Sequence, residues 1–499
     1  MGTIFFRNFV FHLKEYILEL SHIQELYSSQ APFKKTIESL SSLQQVHVRG
    51  LLGSAASVFA SALFGKTANS FLFILENAED AGYFYHDLTQ VLGTKDVLFF
   101  PSAYKRAVKY GQTDSANEIL RMETLSRLQQ AHNRCILVAY PEAISEKVVA
   151  KDFFASQTLK LSAGEKVDTS FVSEVLDSYG FEYTDYVYEP GQYAIRGSIL
   201  DVFSFSNEYP YRLDFFGDEI ETIRTFEVES QLSKERLKEI HIVPEMNGKN
   251  VSRNSLFEVL SSNTVIAYKD FDFIEQQIRF TFEDKPILNN PEYDQEWQSK
   301  LITAEDFIYG IKKFTNLQLG TKAHGTPHAV IEWKTSLQPI FHKNFDLVSK
   351  ALHEFADKDY QLYILSDSEK QIARIQTIFE DRGEQIKYLP ISKTLHEGFS
   401  DDLLKICCFT DHQIFDRYHK YNLKSEKARS GKIVLTLKEL NQFQIGDYVV
   451  HIDHGVGKFG GLVRMEVNGK IQEMIKLFYL NNDAIFVSIH ALHKISKYK

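Results

Sequence analysis

The chain has 499 residues, of which 44% are hydrophobic and 24% charged, with a formal net charge of −10. That length exceeds what one hydrophobic core can fill, so several domains are expected, and the composition excludes a disordered chain. The acidic balance excludes a protein that coats nucleic acid through a general basic surface, and no apolar run approaches the roughly 20 residues that span a bilayer. The charge is uneven. Residues 424–499 hold 12 Lys and Arg against 7 Asp and Glu, a basic end on an acidic body.

The start, MGTIFFRNFVFHLKEY, carries Arg7, His12, Lys14 and Glu15 among its apolar residues. It reads as an amphipathic helix, not a signal peptide. Strand-like runs at 70–75, 96–100 and 134–140 alternate with helical spacing at 77–91 and 117–130. This pattern predicts an α/β layer built on a parallel sheet. From about Phe171 the texture changes to short strands and turns. Residues 193–203 read as one strand, Ser206-Asn207-Glu208-Tyr209-Pro210 as a turn, and 211–216 as a return strand. Tyr211, Leu213 and Phe215 share one face of that strand, and Arg212, Asp214 and Phe216 the other.

A second α/β unit begins near Phe341. Its strand at 360–365 leads into Ser366-Asp367-Ser368-Glu369, whose S-x-x-E spacing predicts a capping box. Further strands are predicted at 385–389 and 403–409. Residues 417–431 are charged and poor in apolar side chains, as in a linker. From Asn441 onward short strands crowd together. Asn468-Gly469 is a favoured two-residue hairpin turn, and the last 59 residues predict a small SH3-like barrel. Cys135, Cys407 and Cys408 show neither a disulfide framework nor metal spacing, which suits a reducing cytoplasm.

Signals of catalysis are weak. Gly65-Lys66-Thr67 has the ending of a phosphate loop, but the required earlier glycine position holds Ala60. It also follows a helix and precedes a strand, the reverse of what phosphate binding needs. Gly50-Leu51-Leu52-Gly53-Ser54-Ala55-Ala56-Ser57 is better placed but has no lysine. His451, Asp453 and His454 stand before glycines without a third ligand, and His396 with Glu397 lacks the second histidine of a zinc protease. No serine sits in a G-x-S-x-G elbow.

Two segments carry a resemblance. Arg196-Gly197-Ser198-Ile199-Leu200-Asp201-Val202-Phe203, followed by Arg212-Leu213-Asp214-Phe215-Phe216-Gly217-Asp218-Glu219-Ile220, resembles the UvrA-binding domain of UvrB and of the transcription-repair coupling factor (Mfd) family. Gly446-Asp447-Tyr448-Val449-Val450-His451-Ile452-Asp453-His454-Gly455-Val456-Gly457 resembles that family's RNA-polymerase-interacting module, a relative of CarD. UvrB lacks this module, so the pair in this order points to the N-terminal part of the coupling-factor family. The implied organisation is multidomain α/β. It comprises a first α/β domain split by an insertion: a degenerate UvrB-like domain 1A at 1–150 without a functional P-loop, a small α+β UvrA-binding domain at 151–236 and a UvrB-like domain 1B at 237–340. A separate α/β domain at 341–420, a linker at 421–440 and a CarD-like (Tudor-like) β-barrel at 441–499 follow.

The resemblance implies a non-catalytic adaptor that binds RNA polymerase through its β subunit and recruits UvrA, linking stalled transcription to excision repair. It implies Arg196, Phe203, Arg212, Asp214, Phe216 and Arg224 for UvrA, and Leu462, Arg464, Met465 and Glu466 for polymerase. No catalytic, cofactor or metal residue is expected in this chain. ATP, Mg and most DNA contact belong to the translocase domains that the family carries beyond the sequence ending at Lys499, and no membrane contact is expected. The domain that masks the UvrA face in the family also lies beyond it, so constitutive UvrA binding is expected. The alternatives are a UvrB-like repair ATPase or helicase, and a CarD-like regulator that binds polymerase only.

Overall fold

The computed structural model describes residues 19–41, 45–103, 115–129, 134–228, 230–246, 251–283, 298–419, 444–451, 454–467, 470–479, 483–488 and 495–497. The expected N-terminal amphipathic helix, the 421–440 linker, Asp453, and the turn residues Asn468 and Gly469 lie outside them.

Two short helices, α1 (Leu20–Ser29) and α2 (Ala31–Ser39), precede strand β1 (Gln45–Arg49) and helix α3 (Ala55–Lys66). Strand β2 (Ser70–Ile74), helix α4 (Ala78–Leu92), β3 (Val97–Phe99), α5 (Ser115–Gln129) and β4 (Ile136–Ala139) follow. Helix α3 has no charged residue before Lys66 and is buried along most of its length, which its Ala, Ser and Phe content permits. Helix α4 starts where the Asn77 side chain accepts from the amides of Glu79 and Asp80, and it stops at Gly93 with φ +79°.

The chain then leaves this sheet. Strand β5 (Leu159–Ser162), helix α6 (Thr169–Ser178), β6 (Glu182–Tyr183), β7 (Gln192–Arg196), β8 (Ile199–Val202), β9 (Tyr211–Phe216), β10 (Glu219–Phe226), β11 (Ser233–Leu237) and β12 (Glu239–Ile242) form an inserted α+β domain. Entry and exit strands β5 and β12 pair antiparallel, so the insertion closes on itself and occupies Gln157–Glu245. These bounds lie later than the expected 151–236. Its main sheet has the order β11-β10-β9-β8-β7-β6. Val172 and Leu176 of α6 pack with Leu200, Leu213, Ile220 and Ile223 on one face. Residues 193–203 are a hairpin where one strand was expected. Gly197 takes φ +64°, which reverses the chain so that Tyr193 pairs with Val202.

Strand β13 (Thr264–Tyr268), helix α7 (Phe271–Glu283), helix α8 (Ala304–Ile311), β14 (Thr315–Gln318) and β15 (Ala329–Glu332) return to the first sheet. All its pairings are parallel, in the order β15-β1-β14-β13-β2-β4-β3. The segment expected as domain 1B at 237–340 thus contributes these strands to the first sheet, in keeping with a first α/β domain split by the insertion.

The second α/β domain starts at β16 (Thr335–Leu337) and continues through α9 (Phe345–Ala356), β17 (Gln361–Leu365), α10 (Glu369–Asp381), β18 (Leu389–Ile391), β19 (Phe399–Asp401) and β20 (Ile406–Thr410). The sheet order is β16-β19-β20-β17-β18. Val348, Ile375 and Phe379 of its helices pack on Leu362, Ile364 and Phe409. Cys407 and Cys408 are core residues, and burial pushes both thiols well up from the usual range. The predicted capping box does not form: Ser368 caps α10 without a side-chain bond, and the Ser366 hydroxyl accepts from the Ser368 amide instead. A capping box does form at Thr303 and Asp306.

The C-terminal module comprises β21 (Tyr448–His451), β22 (Gly455–Val467), β23 (Lys470–Phe478), β24 (Ala484–Ser488) and β25 (Ile495–Lys497). It is an antiparallel sheet of order β24-β23-β22-β21-β25, where a closed barrel was expected. Among the described residues β24 and β25 do not pair. One residue set from all five strands, Val449, Phe459, Ile475, Leu477, Val487 and Ile495, makes its core.

Candidate interaction surfaces and a lysine-free phosphate-loop frame

In the inserted domain, strand alternation sends Tyr211, Leu213 and Phe215 into the core and Arg212 and Asp214 to the helix-free face. Register then assembles a charged ladder there. Arg212 lies opposite Asp201 on β8 and Arg224 on β10, and Arg224 lies opposite Arg236 on β11. The Asp201 carboxylate, 1% exposed, accepts from Arg212 Nε at 2.7 Å and Nη2 at 2.8 Å, and also from Arg196. This bidentate partner raises the Arg212 pKa further. Asp214 pairs with Arg224 at 2.7 Å and accepts from the Thr222 hydroxyl.

Each expected UvrA-contact residue now has a place. Phe216 stands at the β9–β10 hairpin tip, 82% exposed, beside Gly217 with φ +62°. Phe203 is corrected: it is 6% exposed and packs with Val187, Ala194 and Val228, so it is unavailable as a surface anchor. Arg212 is corrected too, because Asp201 and Gln231 hold its guanidinium over the Phe226 ring. Arg196 is partly committed, bonding Asp201 and the Asp185 carbonyl with its guanidinium 4.6 Å from the Tyr186 ring centroid, yet its side chain stays 31% exposed. Arg224 is equally exposed while paired to Asp214. Sequence reasoning assigned no role to Asp201, the hub of the ladder, or to Arg236. Only cross-strand register reveals either.

In the C-terminal module, β22 is paired on both sides only near its start. Gly455 to Lys458 face β21, whereas Lys458 to Val467 face β23. Among the described residues, no strand pairs with the other edge of β22 beyond Phe459. Leu462 and Met465 are 40% and 37% exposed. Arg464 and Glu466 pair with Glu473 and Ile471 in the sheet register; their side chains lie outside the description.

The turn at 50–57 follows β1 and opens α3, the placement a phosphate loop requires. In the frame G-x4-G-K-[ST], Gly50 and Ser57 match, but Ala55 and Ala56 replace the second glycine and the lysine. The Gly65-Lys66-Thr67 tripeptide sits at the end of α3, ahead of β2. Among the described residues no group of His, Cys, Asp and Glu is placed to hold a metal, and no helix is long and apolar enough to cross a membrane.

Fold and surfaces together define a multidomain α/β scaffold carrying an inserted α+β module and a C-terminal β module. Family models match both modules: the UvrB interaction domain over residues 159–247 and the CarD-like/TRCF RID domain over residues 443–499. The chain is similar to the N-terminal part of transcription-repair coupling factors. It is 22% identical to the Bacillus subtilis (strain 168) factor over 96% of this chain and 47% of the relative. It is 23% identical to the Staphylococcus haemolyticus (strain JCSC1435) factor over 91% and 45%, and 22% identical to that of Staphylococcus aureus (strain bovine RF122 / ET3-1) over 90% and 45%. The chain thus spans about half the length of the curated relatives it matches.

Proposed function

We propose that this chain is an adaptor that couples stalled transcription to nucleotide excision repair, binding UvrA through the inserted domain and the RNA polymerase β subunit through the C-terminal module. The observation that carries this reading is the presence of both modules, in this order, on one chain. On the inserted domain, Phe216 is the apolar anchor, and Arg196, Arg224 and Arg236 of the same domain supply guanidinium groups. Asp214 sets the orientation of Arg224. Arg212 and Phe203 support the face from within. An exposed aromatic on a domain that also presents arginines has the composition of an interface hot spot.

The free edge of β22 is the polymerase contact, pairing with a strand of the partner. Backbone bonds give such a joint its affinity, and Leu462 and Met465 its selectivity, with Arg464 and Glu466 beside them. The five-stranded sheet curls toward an SH3-like barrel, because Val487 and Ile495 from its two outermost strands enter one core. Chemistry on ATP is no part of this reading, since the phosphate-loop frame lacks the lysine that meets phosphate.

Calorimetric titration of the chain with purified UvrA, beside Phe216→Ala, tests the first half. Binding that weakens by about 1 kcal/mol or more supports it; no binding by a folded wild-type chain removes it. A pull-down with the polymerase β subunit tests the second half independently.

A further inference from the structure

Ser54, Ala55 and Ser57 of the phosphate-loop frame are buried. In a working loop the backbone amides point at phosphate oxygens. Here the Leu52 amide donates to Thr335 Oγ1 at 2.7 Å, and Thr335 returns its hydroxyl to the Gly50 carbonyl at 2.8 Å. Ser57, at the position whose hydroxyl meets Mg²⁺ in a working loop, bonds Asp87 of α4 at 2.9 Å.

The segment 394–398 of the second α/β domain packs against the frame. Its Glu397 amide donates to Ser54 Oγ at 2.9 Å, and its His396 amide to Asp87 Oδ1 at 2.7 Å. A Cβ added at Gly53 would lie 3.4 Å from Glu397 Oε2. Two neighbouring amides tie the segment to its own domain, Thr394 to Asp367 Oδ1 at 3.0 Å and Gly398 to Gln413 Oε1 at 2.7 Å. Gly398 is required there, because a Cβ would approach Gln338 Oε1 to 2.0 Å. The Tyr83 ring of α4 stacks on His396 at 3.4 Å between centroids, and Lys393 donates to the Gln90 carbonyl at 2.8 Å. The Leu52 amide, the Ser54 and Ser57 hydroxyls and the Asp87 carboxylate are therefore engaged by protein. Asp87 is 3% exposed with its pKa pushed up by burial, which commits it to this buried contact.

We propose that residues 394–398 are the resident occupant of the phosphate-loop crevice, and that the second α/β domain serves to hold them there, making the two α/β domains one rigid platform closed to nucleotide. In a nucleotide-driven motor such a cleft opens and shuts with its ligand. Here a peptide segment takes the ligand's place permanently. The second domain thereby acquires a role that is independent of UvrA or polymerase binding.

Hydrogen exchange of the full chain, read by mass spectrometry with and without millimolar MgATP, tests this. The expected result is slow, matched exchange at 394–398 and 54–57, unchanged by MgATP. Asp87→Ala should speed both segments together at least tenfold while the inserted domain and the C-terminal sheet are unaffected. If Asp87→Ala does not fold, Ser54→Ala removes the Glu397 acceptor and one hydrogen bond to Asp87 while keeping the carboxylate, and should speed exchange at 394–398. Fast exchange at 394–398 in the wild type, protection of 54–57 by MgATP, or acceleration confined to one segment in Asp87→Ala overturns the proposal. The variant Ala55→Gly/Ala56→Lys restores the missing loop residues. It should still bind no MgATP by calorimetry, and binding would show that the crevice is open.

Discussion

The Ser57 hydroxyl donates to the Asp87 carboxylate at 2.9 Å, joining the phosphate-loop frame to a helix that also grips the second α/β domain. A carboxylate so buried makes the contact sensitive to protonation. Burial raises Asp87 from its ordinary value to about 7, with nearby Glu397 adding to the rise and the hydrogen bonds from Ser54, His396 and Ser57 opposing it. The neighbouring imidazoles move the other way, also chiefly by burial: His86, His396 and His412 are each lowered to about 4.

The pH dependence follows from these signs. Asp87, raised in the folded state, contributes stability that is present below its unfolded value and is lost as pH rises toward 7. The histidines, lowered in the folded state, contribute stability that is present above about 6.5 and lost as pH falls toward 4. The two effects oppose each other between pH 4 and 7. Asp87→Asn removes one of them, so its urea midpoint, followed by tryptophan fluorescence, should climb more steeply from pH 4 to 7 than that of the wild type. Parallel profiles would show that Asp87 does not titrate in this window.

Phe216 and Phe203 should separate binding from stability. Phe216→Ala removes a side chain that is 82% exposed, so the melting temperature should hold while UvrA affinity falls by about 1 kcal/mol or more. Phe203→Ala empties a buried site and should cost about 3 kcal/mol of stability. Parallel thermal melts and titrations decide it, and equal stability losses would contradict the assignment.

Arg212→Ala should destabilise the inserted domain more than Arg196→Ala does. Both leave Asp201 short of a partner, but Arg212 supplies two bonds and is 12% exposed against 31% for Arg196. Removing one partner of a buried pair costs about 3 kcal/mol, and a partly exposed one about 1 kcal/mol or less. Urea unfolding of the two variants gives the order, and the reverse order would remove Asp201 as the hub.

Leu462→Glu and Met465→Glu change exposed side chains on β22. Polymerase β-subunit affinity should drop about tenfold, the equivalent of about 1.4 kcal/mol, with the module's far-ultraviolet circular dichroism preserved. Unchanged affinity in both variants would move the polymerase site away from this strand.

Much of the architecture was legible in the residues. The strands at 70–74, 97–99 and 136–139, the helix after Asn77 and the hairpin pairing of Val467 with Lys470 all follow from local alternation, caps and turn chemistry. The two module motifs and the missing lysine at Ala56 were equally plain. Placement was not. Thr264–Tyr268 joins Ser70–Ile74 across the whole inserted domain, a pairing decided by burial of both strand faces in one sheet. In sequence Phe203 fits either a core or a surface position and Arg212 could pair with Asp214; the folded domain turns Arg212 toward Asp201 and Phe203 toward Val187 and Ala194. The sequence by itself determined which short segments become strands and helices and which chemistry the phosphate-loop frame lacks, because those depend on neighbours a few residues apart. What packs against that frame was decided by tertiary structure alone, since Ser54 and Glu397 are 343 residues apart and meet only where the two α/β domains contact each other.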